Sequence, residues 1–225
     1  MFLELVVARY NENLNWLRRV PRAFRVTIYD KSGDRLPDSI ALPNIGREAH
    51  TYLLHIVERY DSLADLTVFC QGKPFDHAYD FHQTLRNLAE KPTSDDFLPL
   101  GHIVDTDDAQ GKRLFSQWSK NEDGHELDMH SFYRALFEEE GPAEEGPEEY
   151  TFRLGAQFGA SRQLIQNRSP AFYERALQIA IDFPDAAHCF ERSWSLVFGT
   201  QNPDLLWLEG RKTVYLKPIR RLAEN

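Results

Sequence analysis

At 225 residues with 42% hydrophobic content, the chain is long enough to bury one sizeable α/β core. Its formal charge of -9, from 35 acidic against 26 basic residues, argues against bulk electrostatic binding to nucleic acid or anionic lipid. Apolar runs reach only about six residues against the roughly 20 that span a bilayer, and the amino end lacks a basic-then-apolar leader pattern, so a soluble cytoplasmic protein is expected.

In chain order, residues 2–8 and 24–29 are rich in β-branched and aromatic types and read as strands, the second closed by a turn at Asp30-Lys-Ser-Gly33. A short helix is expected at Asn13–Arg19 between them. Asn44 is placed to cap the next helix, in which Tyr52, Leu53, Ile56, Val57 and Tyr60 share one face at 3.6-residue spacing. A strand at 66–70 follows, and this β-α-β-α-β order predicts a mostly parallel central sheet flanked by helices.

Beyond it, Phe81, Leu85 and Leu88 mark a helix, whereas 91–111, with its Pro, Gly and Asp content, reads as a long irregular connection. A helix over 125–138 leads into the acidic run 138–149, which has no apolar anchor and reads as a solvated loop. Then come a strand of small residues at 152–160, a helix opened by Ser169 and Pro170, a helix near 190–198, a short strand at 213–216 and a basic tail containing Arg211, Lys212, Lys217, Arg220 and Arg221. Cys70 and Cys189 sit in apolar surroundings with no metal or redox spacing, so both are expected as buried thiols.

Several positions can carry chemistry. Arg47 stands just inside a helix amino end after Gly46, where free N–H groups favour an anion; the alternative is an ordinary first-turn ion pair. Asn11, Glu12 and Asp30 follow strands directly and can accept bonds from a nucleobase or ribose, although such residues also end strands for local reasons. Gln71-Gly-Lys-Pro-Phe-Asp-His77 combines a strand end with a Gly that lets a ligand approach, and Asp76 and His77 form a weak pair for a divalent ion. Asp105-Thr-Asp-Asp108 offers a second such pair, or a solvated turn. The histidines of His125-Glu-Leu-Asp-Met-His130 are five apart rather than four and do not share a helix face, which rules out a zinc protease box. Glu191, flanked by Phe190 and Trp194, is a candidate general base or a surface partner of Arg192 or Arg175.

Taken together, these segments resemble the nucleotide-diphospho-sugar transferase fold of GT-A glycosyltransferases. Val6-Val-Ala-Arg-Tyr-Asn-Glu12 is similar to the first strand and its ending, Ile28-Tyr-Asp30 to the second strand with its nucleobase-facing Asp, and Asn44-Ile-Gly-Arg47 to the Asn-x-Gly segment with its downstream Arg. Gly155-Ala-Gln-Phe-Gly-Ala-Ser-Arg162 resembles the acceptor-side strand and turn. More narrowly, the set, including Gln71-Gly-Lys-Pro-Phe and Glu-Arg-x-Trp, resembles a family called domain of unknown function 3431, over roughly residues 4–80 and 152–200.

The resemblance implies one domain over 1–225, with a nucleotide-binding half at 4–80, an irregular acidic insert at 91–150 and an acceptor-side half with the tail at 151–225. It implies a glycosyltransferase that moves a sugar from a nucleotide sugar to an acceptor hydroxyl, with inversion. The substrate-binding positions would be Arg9, Asn11, Glu12, Asp30, Asn44, Arg47, Gln71 and Lys73, of which Asn11, Glu12 and Asp30 hold the nucleoside and Arg47 with Lys73 the diphosphate. Glu191 would be the base. One departure is Gln71-Gly-Lys73, which stands where the metal-binding Asp-x-Asp belongs, so Mn²⁺ or Mg²⁺ would need Asp76, His77 or the 105–108 carboxylates, or be replaced by Arg47, Lys73 and the tail. The alternatives are a non-catalytic nucleotide- or glycan-binding module and a metal-dependent hydrolase.

Overall fold

Strand β1 (Leu3–Arg9) is buried at all seven positions, as expected of a central strand covered on both faces rather than of an alternating edge strand. A computed structural model describes residues 1–34, 36–91, 93, 95–118, 124–138, 146–200 and 213–216. In it β1 lies between β2 (Phe24–Asp30) and β4 (Leu66–Gln71), parallel to both, and the two-residue β3 (Ile40–Ala41) extends the sheet beyond β2. On the other side the sheet changes sense. β8 (Gln157–Ser161) runs antiparallel to β4 and to the edge strand β5 (Phe97–Leu100), so the sheet, ordered β3-β2-β1-β4-β8-β5, is mixed; the expected parallel arrangement is met only from β3 to β4.

A second, antiparallel sheet has the order β7-β6-β9, from β7 (Glu149–Arg153), β6 (Ile103–Asp108) and β9 (Thr213–Tyr215). It corrects two expectations. The stretch 91–111 holds β5 and β6 rather than an irregular connection, because Pro99 is tolerated on an edge strand and because Asp105 and Asp107 of β6 are buried, which hides the usual alternation. The single strand expected at 152–160 is β7 and β8 joined by a turn at Gly155 and Ala156, both with positive φ (98° and 49°).

Helices cover both faces of the main sheet. Val6, Ala8, Tyr29 and Phe69 meet α1 (Arg47–Arg59), α6 (Pro170–Asp182) and α7 (Ala186–Val197) in the larger core. Leu5, Val7, Val68 and Cys70 meet α2 (Phe81–Glu90) in the smaller one through Phe81, Leu85 and Leu88, the three residues the spacing singled out. The short helices α3 (Phe115–Trp118), α4 (Met129–Phe137) and α5 (Arg162–Gln166) complete the layer, and residues 15–19 form a 3-10 turn. Ser169 caps α6 by accepting from the Phe172 N–H, with Pro170 at its first position. α7 begins at Ala186, four residues earlier than expected, since the step from His188 to Arg192 continues one helical face.

Phe158 ties the halves together. Its ring lies 5.1 Å from Phe69, 4.8 Å from Trp194 and 5.8 Å from Tyr52, joining β4, α7 and α1. Within the α1 face, Glu4 is fully buried yet takes bonds from Arg25 (2.5 Å) and Thr27 (2.6 Å), with His55 Nε2 3.6 Å away and Tyr29 Oη 3.1 Å from His55 Nδ1. Burial alone would push the Glu4 carboxyl up, but the bonds from His55, Arg25 and Thr27 hold it at about 2. Cys70 and Cys189 are buried and unpaired, as expected.

Candidate functional site at the carboxyl edge of the sheet

The register sets Arg9 opposite Asp30 and Ala8 opposite Gln71, so the ends of three parallel strands lie side by side, with Asp30 and Gln71 two strand spacings, about 10 Å, apart. Asp30 is 2% exposed and does not face solvent freely. Its Oδ1 accepts from Arg9 Nη1 (2.6 Å), Ser32 N (3.1 Å) and Ser32 Oγ (2.8 Å), while Oδ2 is buried without a partner. Burial raises this carboxyl, and the Ser32 and Arg9 bonds outweigh that and hold it below the usual carboxylate range. Arg9 also donates through Nε to Glu12 O (3.0 Å), and Glu12 Oε2 accepts from Tyr10 N (2.8 Å). Glu12 in turn lies so close to Gly72 that a Cβ there would stand 2.4 Å from Oε2. The bonds fix the loop after β1 to the end of β2, and Trp16 Nε1, donating to Gly72 O (2.8 Å), ties it to the loop after β4.

The buried ammonium of Lys31 reaches across from the end of β2, donating to Ile45 O (2.6 Å) and to Arg47 O, with His50 Nδ1 at 3.4 Å. Gly46 (φ 57°) and Arg47 (φ 45°) are both left-handed, and a Cβ on Gly46 would meet Ala180 O at 2.4 Å. Gly46, not Asn44, is the residue that caps α1; Asn44 is exposed two positions earlier and makes no cap bond, because the left-handed pair turns the chain before the helix begins.

This turn aims the first residues of α1 at the middle of α7. Glu48 is raised to about 7 by burial and then by the neighbouring Glu191 carboxylate, against the opposing pull of Arg47 and Lys31. Lys31 is lowered to about 8 by burial. His188 is held at about 4 by burial and by the Arg47 and Arg192 guanidiniums.

Glu191 Oε1 accepts from Gly155 N (2.6 Å), which brings it to the turn entering β8. Gly155 (φ 98°) presses on His77, whose Cγ would lie 2.5 Å from an added Cβ. Gln157, 2% exposed, donates through Nε2 to Pro74 O (3.1 Å), leaving its Oε1 buried and unpartnered. The polar rim thus closes on itself, from Arg9 and Asp30 through Lys31, Arg47 and Glu48 to Glu191, Gly155, His77 and the loop after Gln71. Behind it, Arg192 donates to Asp107 Oδ2 through Nε (3.1 Å) and Nη2 (2.5 Å), anchoring α7 to β6.

Other expected positions fall outside this rim or are otherwise engaged. Lys73 pairs with Asp76 at 3.0 Å, both more than half exposed, so neither reaches inward. Asn11 is exposed on the loop after β1. The Asp76 and His77 pair gains no third ligand, and among the described residues no group of three His, Cys, Asp or Glu side chains is placed to hold a metal ion. The 105–108 segment is not a solvated turn: Asp107 is fully buried and also accepts from the N–H groups of Arg113, Leu114 and Phe115, while Asp108 accepts from those of Gln110 and Lys112. The basic tail residues lie outside the described residues.

Lys31, Glu48, His188 and Gln157 belong to the rim and were not singled out. Glu48 reads in sequence as an ordinary acidic first-turn residue, and only the i, i+3 spacing of His188 and Glu191 on one helix hinted at a polar face. Among the described residues no helix is long and apolar enough to cross a membrane.

Over residues 5–205 the chain matches the profile of a protein family described as Protein of unknown function (DUF3431). No curated protein matches it.

Proposed function

The chain belongs to the family of unknown function DUF3431, and we propose that it acts as a GT-A-like glycosyltransferase that passes a sugar from a nucleotide sugar to an acceptor hydroxyl. The observation that carries this reading is the closed rim: a Glu191 carboxylate oriented by Gly155 N–H stands at the same edge as the ends of β1, β2 and β4. A ligand bound outside the carboxyl ends of parallel strands is the general habit of open α/β sheets.

In this reading the nucleoside lies over the loops after β1 and β2, beside the exposed Tyr10 ring and Asn11, with Asp30 acting through Arg9 to hold the loop rather than touching the base. Arg47, exposed at the amino end of α1, meets the diphosphate, and Lys73 joins it by leaving Asp76. Glu191 accepts the acceptor's hydroxyl proton through Oε2. The oxygen attacks the anomeric carbon as the bond to the diphosphate breaks, the electron pair leaves with the diphosphate, and configuration inverts. Cations at the leaving group act mainly on turnover, since charge develops there in the transition state. Among the described residues no three His, Cys, Asp or Glu side chains converge at the strand ends, and this reading neutralises the diphosphate with Arg47 and Lys73.

Glu191→Gln is expected to keep nucleotide binding and abolish transfer; equal loss of both would remove Glu191 as the base. Binding is read by thermal shift with nucleotide diphosphates and nucleotide sugars, with and without Mn²⁺, since a ligand at 100 times its Kd stabilises by roughly 2.7 kcal/mol. A second reading, a nucleotide- or glycan-binding module without turnover, is favoured by the Gln71-Gly-Lys73 replacement, and binding with neither transfer nor donor hydrolysis would select it.

A further inference from the structure

Lys31 is 6% exposed, and the direct partners of its ammonium are neutral: it donates to Ile45 O (2.6 Å) and to Arg47 O, with His50 Nδ1 at 3.4 Å. His50 is held at about 4 by burial and then by the Lys31 charge, so its ring is neutral and Nδ1 is left to accept. Each ammonium N–H thus has one acceptor. The two carbonyls stand on either side of the left-handed pair Gly46 (φ 57°) and Arg47 (φ 45°), so a single group ties down both ends of the turn from which α1 starts. Leu42 N donates to Asp30 O (2.8 Å) and Lys31 N to Arg9 O (2.9 Å), which fastens the same stretch to the ends of β2 and β1.

Stability alone does not account for this arrangement. Lys31 and Arg47 put two cations at the amino end of α1, where the helix dipole favours anions, and Arg47 takes a backbone conformation that residues with a side chain rarely adopt. Glu48, whose charge favours the ammonium, is itself shifted toward its neutral form by burial and by Glu191. Strain and like charge kept side by side are marks of a functional turn.

We infer that Lys31 is a positioning residue for Arg47: its ammonium fixes the Gly46–Arg47 turn against the strand ends and so holds the Arg47 guanidinium at the rim for an anionic ligand that Lys31 itself does not touch. That the anion is the leaving diphosphate rests on the transferase reading; the hold on the turn does not. The hold depends on charge. Burial lowers Lys31 to about 8 against the opposing pull of Glu48, and the neutral amine keeps two N–H groups for three acceptors, so one contact is released. The charged groups packed round it are Glu48 and Arg47 of α1 and the Arg9–Asp30 pair at the ends of β1 and β2, and Glu48, at about 7, titrates first.

The test is a pair of titrations of the full chain from about pH 6 to 9.5. Without ligand, the carbonyl ¹³C signals of Ile45 and Arg47 are expected to show an inflection near pH 8 that is lost in Lys31→Met, which keeps the side-chain length and removes the donors. In the second titration, at constant ionic strength, affinity is measured for sulfate, which has no titrating group in this range, and for ADP, GDP and UDP. Wild-type affinity should fall at least three-fold between about pH 7 and 9, and about tenfold where only the ammonium form is competent, whereas Lys31→Met should bind weakly with a flat profile. Carbonyl signals with no inflection near pH 8, an inflection that survives in Lys31→Met, or wild-type affinity that stays level as Lys31 titrates would overturn the inference, and the wild-type arms decide it even where the variant fails to fold. Sulfate affinity that follows the Lys31 titration, with no binding of any nucleoside diphosphate, would keep the inference and sink the diphosphate reading. Diphosphate binding that ignores the titration would do the reverse, and no binding of any of these anions would overturn both.

Discussion

At the scale of single residues, the rim separates groups that hold the structure from groups left for a ligand. Asp107 is the clearest of the first kind, with a guanidinium and four backbone N–H groups on one buried carboxylate. Asp107→Asn strips the charge from a pair in which both side chains are almost wholly buried, and an uncompensated Arg192 is expected to cost about 3–5 kcal/mol in urea unfolding. Arg47 is of the second kind. Its φ of 45° is a conformation that costs a non-glycine residue roughly 1–2 kcal/mol, stored next to the proposed diphosphate site. Arg47→Gly is therefore expected to leave stability unchanged or raised, while weakening nucleotide diphosphate binding in the thermal-shift assay; a loss of stability would show that the side chain, not the backbone, matters here.

At the scale of elements, placement of α1 depends on one contact. Gly46→Ala would force a Cβ to within 2.4 Å of Ala180 O and 2.7 Å of His50 Cβ, so α1 and α6 must separate; the expected cost is roughly 2–4 kcal/mol, read as a lowered melting temperature and loss of nucleotide binding together. The sequence made much of this level legible. The Tyr52, Leu53 and Ile56 face, the Phe81, Leu85 and Leu88 face and the Ser169-Pro170 start all depend on local periodicity or capping and were read correctly. Features decided by distant partners were not legible. Asp107 reads as polar surface until Arg192 neutralises it, and Pro99 reads as a breaker until β5 is seen at an edge. The αL turn at Gly46 is dictated by α6, more than 120 residues on, so the side chain of Asn44 made a plausible but wrong cap.

At the scale of the whole molecule, the buried titratable groups set how stability answers to pH. His50, pushed to about 4 by burial and then by the Lys31 ammonium, and His188, at a similar value, are protonated more readily when the chain unfolds, so each adds stability as pH rises from about 4 to 6.5. Glu48, at about 7 against an ordinary 4.5, works the other way: its contribution is full below pH 4.5 and is lost as pH climbs through about 7. Between about pH 4.5 and 6.5 the two imidazoles outweigh the carboxyl by one proton, so stability should rise at roughly 1.4 kcal/mol per pH unit. Urea midpoints across that range check the slope, and in the double variant His50→Gln, His188→Gln the sign should reverse, because Glu48 alone remains. Below this range Glu4, held at about 2, adds stability above pH 4.5 that disappears as the pH falls through its folded value.

The seating of β8 between β4 and β5 has a bearing on biosynthesis. β4 is complete at Gln71, but the strand that covers its outer side does not begin until Gln157. While the ribosome works through the intervening stretch, the nascent chain carries a parallel sheet, rich in apolar residues, with one flank unzipped, the kind of border on which a neighbouring polypeptide can template itself. Fragments that stop short of Ser161 should consequently be recovered as aggregates or chaperone clients, whereas a chain carried through that strand can seal its own sheet.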